Sequence, residues 1–148
     1  MAPKISLLYR IYFLYLEPFA AVVGSYLIMS NPSHFLISTT PLSLSAYTAA
    51  EPTPLTRLLL TNIAALYVLL AFAESFVLIQ TKNLNIWRTV LAGILVSDLG
   101  HIYAVYTADP AAFLGVLAYR GEDWVNNGTL VLGAALRAAF LLGFGVQK

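Results

Sequence analysis

The sequence has no cysteine and only two histidines, His34 and His101. The absence of cysteine excludes disulfides, thiolate metal sites and cysteine nucleophiles. With so few histidines, a zinc site would depend mostly on carboxylates, which is an unusual ligand set. Glycine-rich phosphate loops, nucleotide fingerprints and nucleophile elbows are also missing. We therefore expect neither a metal nor a cofactor.

Charge is scarce as well. Charged residues make up 10% of the chain, against about a quarter in soluble proteins. The formal net charge is +1 and no basic cluster could neutralise a row of phosphates, so nucleic acid is not an expected partner. Hydrophobic residues reach 59% and the mean hydropathy is +0.78. This composition predicts an integral membrane protein whose surroundings are membrane lipid.

Four apolar runs are long enough to cross a bilayer, since ~20 apolar residues at 1.5 Å each match a hydrocarbon core of ~30 Å. They cover residues 5–29, 55–80, 84–107 and 127–145. Little chain remains for a soluble domain, so we predict one all-α domain over residues 1–148, a four-transmembrane-helix bundle. The Pro- and Ser-rich segment from Ser30 to Pro54 shows no helical period, and we expect a loop that folds back over the membrane face.

The distribution of cations predicts the orientation. Most lie near the N-terminus, in the short turn between the second and third runs, or at the C-terminus: Lys4, Arg10, Lys82, Arg88 and Lys148. Because cytoplasmic segments carry an excess of Lys and Arg, both termini are expected in the cytoplasm. The endoplasmic reticulum is the expected membrane.

Ionisable residues interrupt the apolar runs. Glu17, Asp98 and Arg137 are expected near the bilayer midplane on three different spans, and Glu74 somewhat nearer the cytoplasm. A charged side chain there costs at least ~2.5 kcal/mol, so such residues normally face a bundle interior or a wet cavity. His101 follows Asp98 at i+3, which is expected to place both on one face.

These residues admit two interpretations. Arg137 could simply pair with a carboxylate and lower the insertion cost of both groups. One arginine cannot neutralise three carboxylates, however, so at least one acid is expected to be protonated. A proton donor beside a carboxylate base is the machinery of general acid/base catalysis.

Other polar and aromatic residues are candidates for substrate binding. Pro18 removes a backbone N–H next to Glu17 and predicts a kink with a free carbonyl. Tyr9 and Phe13 share the face of Glu17. The full set of binding candidates is Arg137, Tyr9, Tyr67, Tyr103, Phe13 and Asn62. Tyrosines such as Tyr9, Tyr12, Tyr15, Tyr67 and Tyr103 could stabilise an oxyanion, although many membrane tyrosines are interfacial anchors.

The segments YRIYFLYLEPFAAVVGSYL, ES at Glu74-Ser75 and SDLGHIY carry a resemblance that extends over nearly the whole length. The chain resembles small fungal four-span membrane proteins of polyketide and meroterpenoid gene clusters, which include membrane-bound terpene cyclases and epoxide hydrolases of aurovertin- and citreoviridin-type pathways. The resemblance implies an enzyme of secondary metabolism that protonates a lipophilic epoxide, which water or an internal hydroxyl then opens to a diol or cyclic ether.

The intramembrane acids of that family would correspond to Glu17, Glu74 and Asp98, and the resemblance does not fix which is acid and which is base. We expect Asp98 and Glu17 to be the catalytic pair, with His101 and Arg137 setting their protonation and orientation. Glu74 is the third candidate acid.

Two other functions stay open. The first is a sterol-isomerase-like ligand-binding protein or isomerase, a group that usually has five spans. The second is a non-enzymatic transporter or assembly subunit, whose carboxylates carry protons and which works as a homo-oligomer.

Overall fold

A computed structural model describes residues 4–48 and 51–147. The helices are α1 (Leu7–Ser30), α2 (Pro32–Thr39), α3 (Pro54–Val77), α4 (Leu84–Ala108), α5 (Pro110–Leu114) and α6 (residues 121–141). Helical turns of the 3₁₀ type cover Leu42–Tyr47 and Val116–Ala118. Two short strands, β1 (Lys4–Ile5) and β2 (Val146–Gln147), pair antiparallel.

Three of these helices, α1, α3 and α4, are long and apolar enough to cross a membrane. Helix α6 packs against α4. It is not one of the three helices that are long and apolar enough to cross a membrane, and it carries the polar residues Asn126, Asn127 and Arg137. The prediction of an all-α membrane domain is confirmed, and a fourth crossing stays a prediction.

The long helices pack mainly as two pairs, α1 on α3 and α4 on α6. An aromatic core joins the pairs at the end where the chain termini meet, and its buried members are Tyr9, Phe13, Leu14, Leu78, Trp87, Leu91 and Phe140. The rings of Tyr9 and Phe140 meet edge to face at 5.2 Å, a favourable aromatic geometry. Nearer the opposite end, a smaller cluster joins α1, α2 and α3 through Ile28, Phe35, Leu60 and Ala64.

The segment after α1 differs from its prediction as an irregular loop. Asn31 accepts a hydrogen bond from the His34 N–H and Pro32 occupies the first turn, so α2 has both a cap and a suitable start. Pro32 therefore begins a helix in a segment where the sequence predicted a loop. The prediction of a segment without helical structure was wrong.

Helix α6 also departs from the predicted span of residues 127–145. It begins at residue 121, because the Asp123 carboxylate accepts a hydrogen bond from the Arg120 N–H and closes the first turn. It ends at residue 141, and Gly143 follows with a φ of 93°, a conformation that glycine adopts without steric cost.

The two long connections bond to each other at the end away from the termini. The Arg120 guanidinium donates to the Thr40 carbonyl at 3.1 Å and pairs with Asp123 at 2.8 Å. The Asn126 amide donates to the Ser38 carbonyl at 2.8 Å, and the Ser43 hydroxyl donates to Asp109. We call these contacts the loop layer.

Candidate functional site

Arg137 on α6 contacts three carboxylates, one from each of the other long helices. Its Nη1 lies 2.6 Å from Asp98 Oδ2 on α4. Its Nη2 pairs with Glu17 Oε1 on α1 and lies 3.3 Å from Glu74 Oε1 on α3. We call these four residues the carboxylate–arginine cluster. A single guanidinium therefore connects all four long helices.

The members of the cluster differ in their exposure. The Arg137 and Glu74 side chains are 1% and 0% exposed, which leaves them enclosed. The Glu17 and Asp98 side chains retain 18% and 12% exposure. Any small molecule that reaches the cluster therefore meets Glu17 and Asp98 first.

The cluster keeps unused hydrogen-bonding capacity. Within the part of the chain that the structure describes, Glu17 Oε2, Glu74 Oε2 and Arg137 Nε are buried without a partner. Three ionised carboxylates and one guanidinium would carry a formal charge of −3 + 1 = −2. Buried polar atoms without partners are costly, which makes this cluster the candidate functional site.

Two π-helical turns position the glutamates. The turn Tyr12–Leu16 directly precedes Glu17, whose N–H bonds to the Tyr12 carbonyl. The turn Ala73–Val77 contains Glu74. Such turns occur frequently at functional sites because they rotate side chains out of the regular helical register.

Proline and serine link these two turns. Pro18 has no N–H to donate to the carbonyl of Leu14, and the Ser75 hydroxyl of α3 donates to that carbonyl at 3.3 Å. The Leu14 carbonyl, which the missing N–H of Pro18 cannot reach, thus accepts a hydrogen bond from the other helix.

The positions of Asp98 and Arg137 follow from their helices. Asp98 continues a buried stripe of α4 formed by Trp87, Leu91 and Ile94, at the spacing of one helical face. Arg137 reaches back along α6 over Gly133, where an added Cβ would lie 2.9 Å from Arg137 Nη1.

A family model matches residues 2–147, and its description is a domain of unknown function, DUF7704. The chain belongs to the DUF7704 family. No curated protein and no solved structure matches it.

In this DUF7704 chain, the structure brings Glu17, Glu74, Asp98 and Arg137 together from different helices. Phe13 joins them, with its ring centroid 5.5 Å from the guanidinium carbon. The sequence placed Glu74 nearer the cytoplasm than the other acids, yet it contacts the same guanidinium. Because Arg137 Nη2 contacts both Glu17 and Glu74, the two carboxyl groups lie at similar depth, and the shallower position predicted for Glu74 was wrong.

The other sequence candidates lie outside the cluster. His101, Tyr103 and Asn62 are exposed on α4 and α3. An i+3 residue lies about 60° around the helix from Asp98, and the buried stripe of α4 ends at Asp98, so His101 does not share its environment. Tyr67 packs against Gly24, and Tyr9 belongs to the aromatic core.

The acids converge on a guanidinium rather than on a space for a cation. Among residues 4–48 and 51–147, no group of three or more acids or histidines is arranged to hold a metal ion. An apolar groove of about 540 Å³ runs between α1 and α3. Its lining includes Pro18 and Ser75 but no member of the cluster.

Proposed function

We propose that this protein opens the epoxide of a lipophilic polyketide or terpenoid inside the membrane, with Glu17 and Asp98 as the acid/base pair. The observation that carries the proposal is the meeting of these two partly exposed carboxyl groups, from separate helices, on one guanidinium. The resemblance of the sequence to epoxide-opening membrane enzymes supports the same reaction.

In the proposed reaction, one carboxylic acid gives its proton to the epoxide oxygen while the carbon–oxygen bond breaks. The second carboxylate takes a proton from a water molecule whose oxygen attacks the carbon from the opposite face. One water is consumed and a diol forms; an internal hydroxyl in place of water gives a cyclic ether. No covalent intermediate with the protein is needed.

Arg137 has a positioning role in this scheme, since it contacts both members of the pair. With one acid protonated and two ionised, the cluster carries a formal charge of −1, which is less costly to bury than −2. Glu74 is enclosed beside the same guanidinium and serves as the third proton-holding group.

The direct test uses purified protein in lipid nanodiscs, an epoxidised polyene and ¹⁸O-labelled water. Glu17→Gln and Asp98→Asn should each lower turnover by about 10²–10⁴-fold, the usual contribution of general acid or base catalysis. Glu51→Gln is the matched control, because Glu51 is an exposed acid paired with Arg57 outside the cluster. Full turnover by both cluster variants would remove the residue assignment.

The same preparation separates the alternatives. A wild-type protein that opens no epoxide but conducts protons across liposomes, with conductance lost in Glu17→Gln, would be a proton-carrying subunit. Binding of sterols without epoxide opening would favour the isomerase-like function.

We further propose location in the endoplasmic reticulum with both termini in the cytoplasm.

A further inference from the structure

The cations away from the chain termini all lie beside acids of the protein. Arg57 pairs with Glu51, Arg120 pairs with Asp123, and Arg137 contacts three carboxylates. Each of these positive charges therefore has a negative charge of the same chain within reach.

The end of the bundle where the termini meet differs, because three of its cations have no acid beside them: Arg10, Lys82 and Arg88. We call these residues the cationic end. None of them forms an ion pair with the described residues. The seven acids of the sequence lie in the carboxylate–arginine cluster or on the connections at the opposite end. The described chain thus leaves this end with an uncompensated positive charge.

Packing holds the cationic end in place. Arg10 and Arg88 directly follow buried residues of the aromatic core. The Trp87 indole donates to the Thr81 carbonyl at 3.1 Å, which ties the turn that contains Lys82 to α4. Arg88 is half-buried, and its enclosed Nε has no partner among the described residues. The three cations are therefore carried by a packed part of the molecule.

The depth of the cationic end matches that of lipid headgroups. At 1.5 Å per residue, Arg88 lies ~15 Å along α4 from Asp98, and Arg10 lies ~10 Å along α1 from Glu17. With the cluster near the bilayer midplane, as the sequence predicts, the edge of the hydrocarbon core also lies ~15 Å away. Long cationic side chains extend from that edge to the headgroups. Lipid phosphates are therefore the anions nearest to the cationic end.

We propose that the cationic end binds the headgroups of anionic phospholipids. A zwitterionic headgroup brings its own ammonium group beside the phosphate, whereas a headgroup with a net negative charge compensates cations that have no acid. The surface of another protein would have to enter the headgroup layer to reach the same side chains. This lipid site is independent of the proposed reaction.

The two tryptophans of the chain can report on lipid at opposite ends of the bundle. Trp87 lies in the aromatic core next to Arg88, and Trp124 is exposed beside Asp123 of the loop layer. Trp124→Phe leaves Trp87 as the reporter of the cationic end. Trp87→Phe leaves Trp124 as the matched control.

The test places each single-tryptophan protein in phosphatidylcholine vesicles with increasing fractions of a brominated lipid, either phosphatidylserine or phosphatidylcholine. Bromine on the acyl chain near the glycerol quenches tryptophan fluorescence at short range. The two quenching curves therefore give the relative affinity of the two lipids at each end. Both leaflets have the same composition, so the result does not depend on the orientation of the protein.

We expect Trp87 to report a preference for phosphatidylserine that decreases with added salt. Arg10→Gln and Arg88→Gln should each reduce this preference by up to about fivefold, the effect of one cation near a charged bilayer surface. Arg57→Gln is the control, because Arg57 is already paired with Glu51. Trp124 should report no such preference, since acids outnumber cations at its end.

Equal affinity of the two lipids at Trp87 overturns the lipid site. A preference that both Arg10→Gln and Arg88→Gln leave unchanged, or that Trp124 reports equally, also overturns it. Displacement of the lipid by glycerophosphoserine, the same headgroup without acyl chains, would overturn the assignment to lipid. Arg10 is exposed, so Arg10→Gln keeps the test decisive if Arg88→Gln or Trp87→Phe does not fold.

Discussion

Arg137 is the counter-charge for three acids, of which Glu74 is fully enclosed, so its removal should affect the whole bundle. We expect Arg137→Met to lower the free energy of unfolding by at least about 3–5 kcal/mol, the cost of leaving a buried charge without its partner. The measurement is the unfolding transition in mixed micelles. Arg57→Met is the control, because its pair with Glu51 is 53% and 78% exposed and should contribute less than about 1 kcal/mol. Equal losses in the two variants would contradict this account.

At the residue scale, the sequence names all four members of the cluster but does not predict that they share one guanidinium. Glu17, Asp98 and Arg137 are recognisable because ionisable residues deep in apolar runs must find one another. Tyr12 is one of five candidate tyrosines in the sequence, which does not show that its hydroxyl and Arg137 both lie against Gly133. The available signal is Gly133, a residue without a side chain one helical turn before a buried arginine.

At the element scale, the paired π-helical turns of α1 and α3 depend on Pro18 and Ser75. Ser75→Ala should cost about 1 kcal/mol of stability, because the Leu14 carbonyl loses its donor. Pro18→Ala supplies a backbone N–H four residues after that carbonyl. In the Pro18→Ala background Ser75→Ala should therefore cost less, which a double-mutant cycle of unfolding free energies measures. Strict additivity of the two changes would show that the proline and the serine act independently.

The loop layer should respond to acid. The guanidinium of Arg120, hydrogen-bonded to Asp123, holds the pKa of this carboxyl below its usual range. Because the pKa of Asp123 is lower in the folded protein than in the unfolded chain, ionised Asp123 stabilises the fold at pH values above its unfolded pKa of about 4. This stabilisation is lost as the pH falls through the pKa of Asp123 in the folded protein. Protection of the amides of residues 121–124 from hydrogen exchange, measured relative to the intrinsic exchange rate at each pH, should fall below that range. Asp123→Asn should exchange faster at neutral pH and lose this pH dependence, and unchanged exchange would contradict the role of the pair.

The ends of the three long apolar helices follow the apolar runs of the sequence, whereas the ends of the other helices depend on caps. The bounds of α1, α3 and α4 lie close to the predicted apolar runs, because an apolar run of this length is also the length of a helix that crosses a bilayer. Helix α2 and the first turn of α6 depend on Asn31, Pro32 and the Arg120–Asp123 contact. Hydropathy carries no information about such caps, which explains why the sequence prediction missed both.

At the scale of the whole molecule, β1 and β2 place the two ends of the chain side by side. We therefore predict an even number of crossings, with α6 as the fourth. Glycosylation tags at either end should remain unmodified in microsomes, whereas a tag inserted near Leu117 should be modified. Modification of one terminal tag alone would mean three crossings and would break the β1–β2 pairing.

The connection of four helices by one guanidinium also has a consequence for biogenesis. Synthesis delivers α1, α3 and α4, and with them all three acids, before it delivers the arginine of α6. Until then the nascent protein holds acidic groups in lipid without their cation. Arrival of α6 completes the charge balance, so a chain interrupted before Arg137 would stay poorly inserted and accessible to membrane quality control.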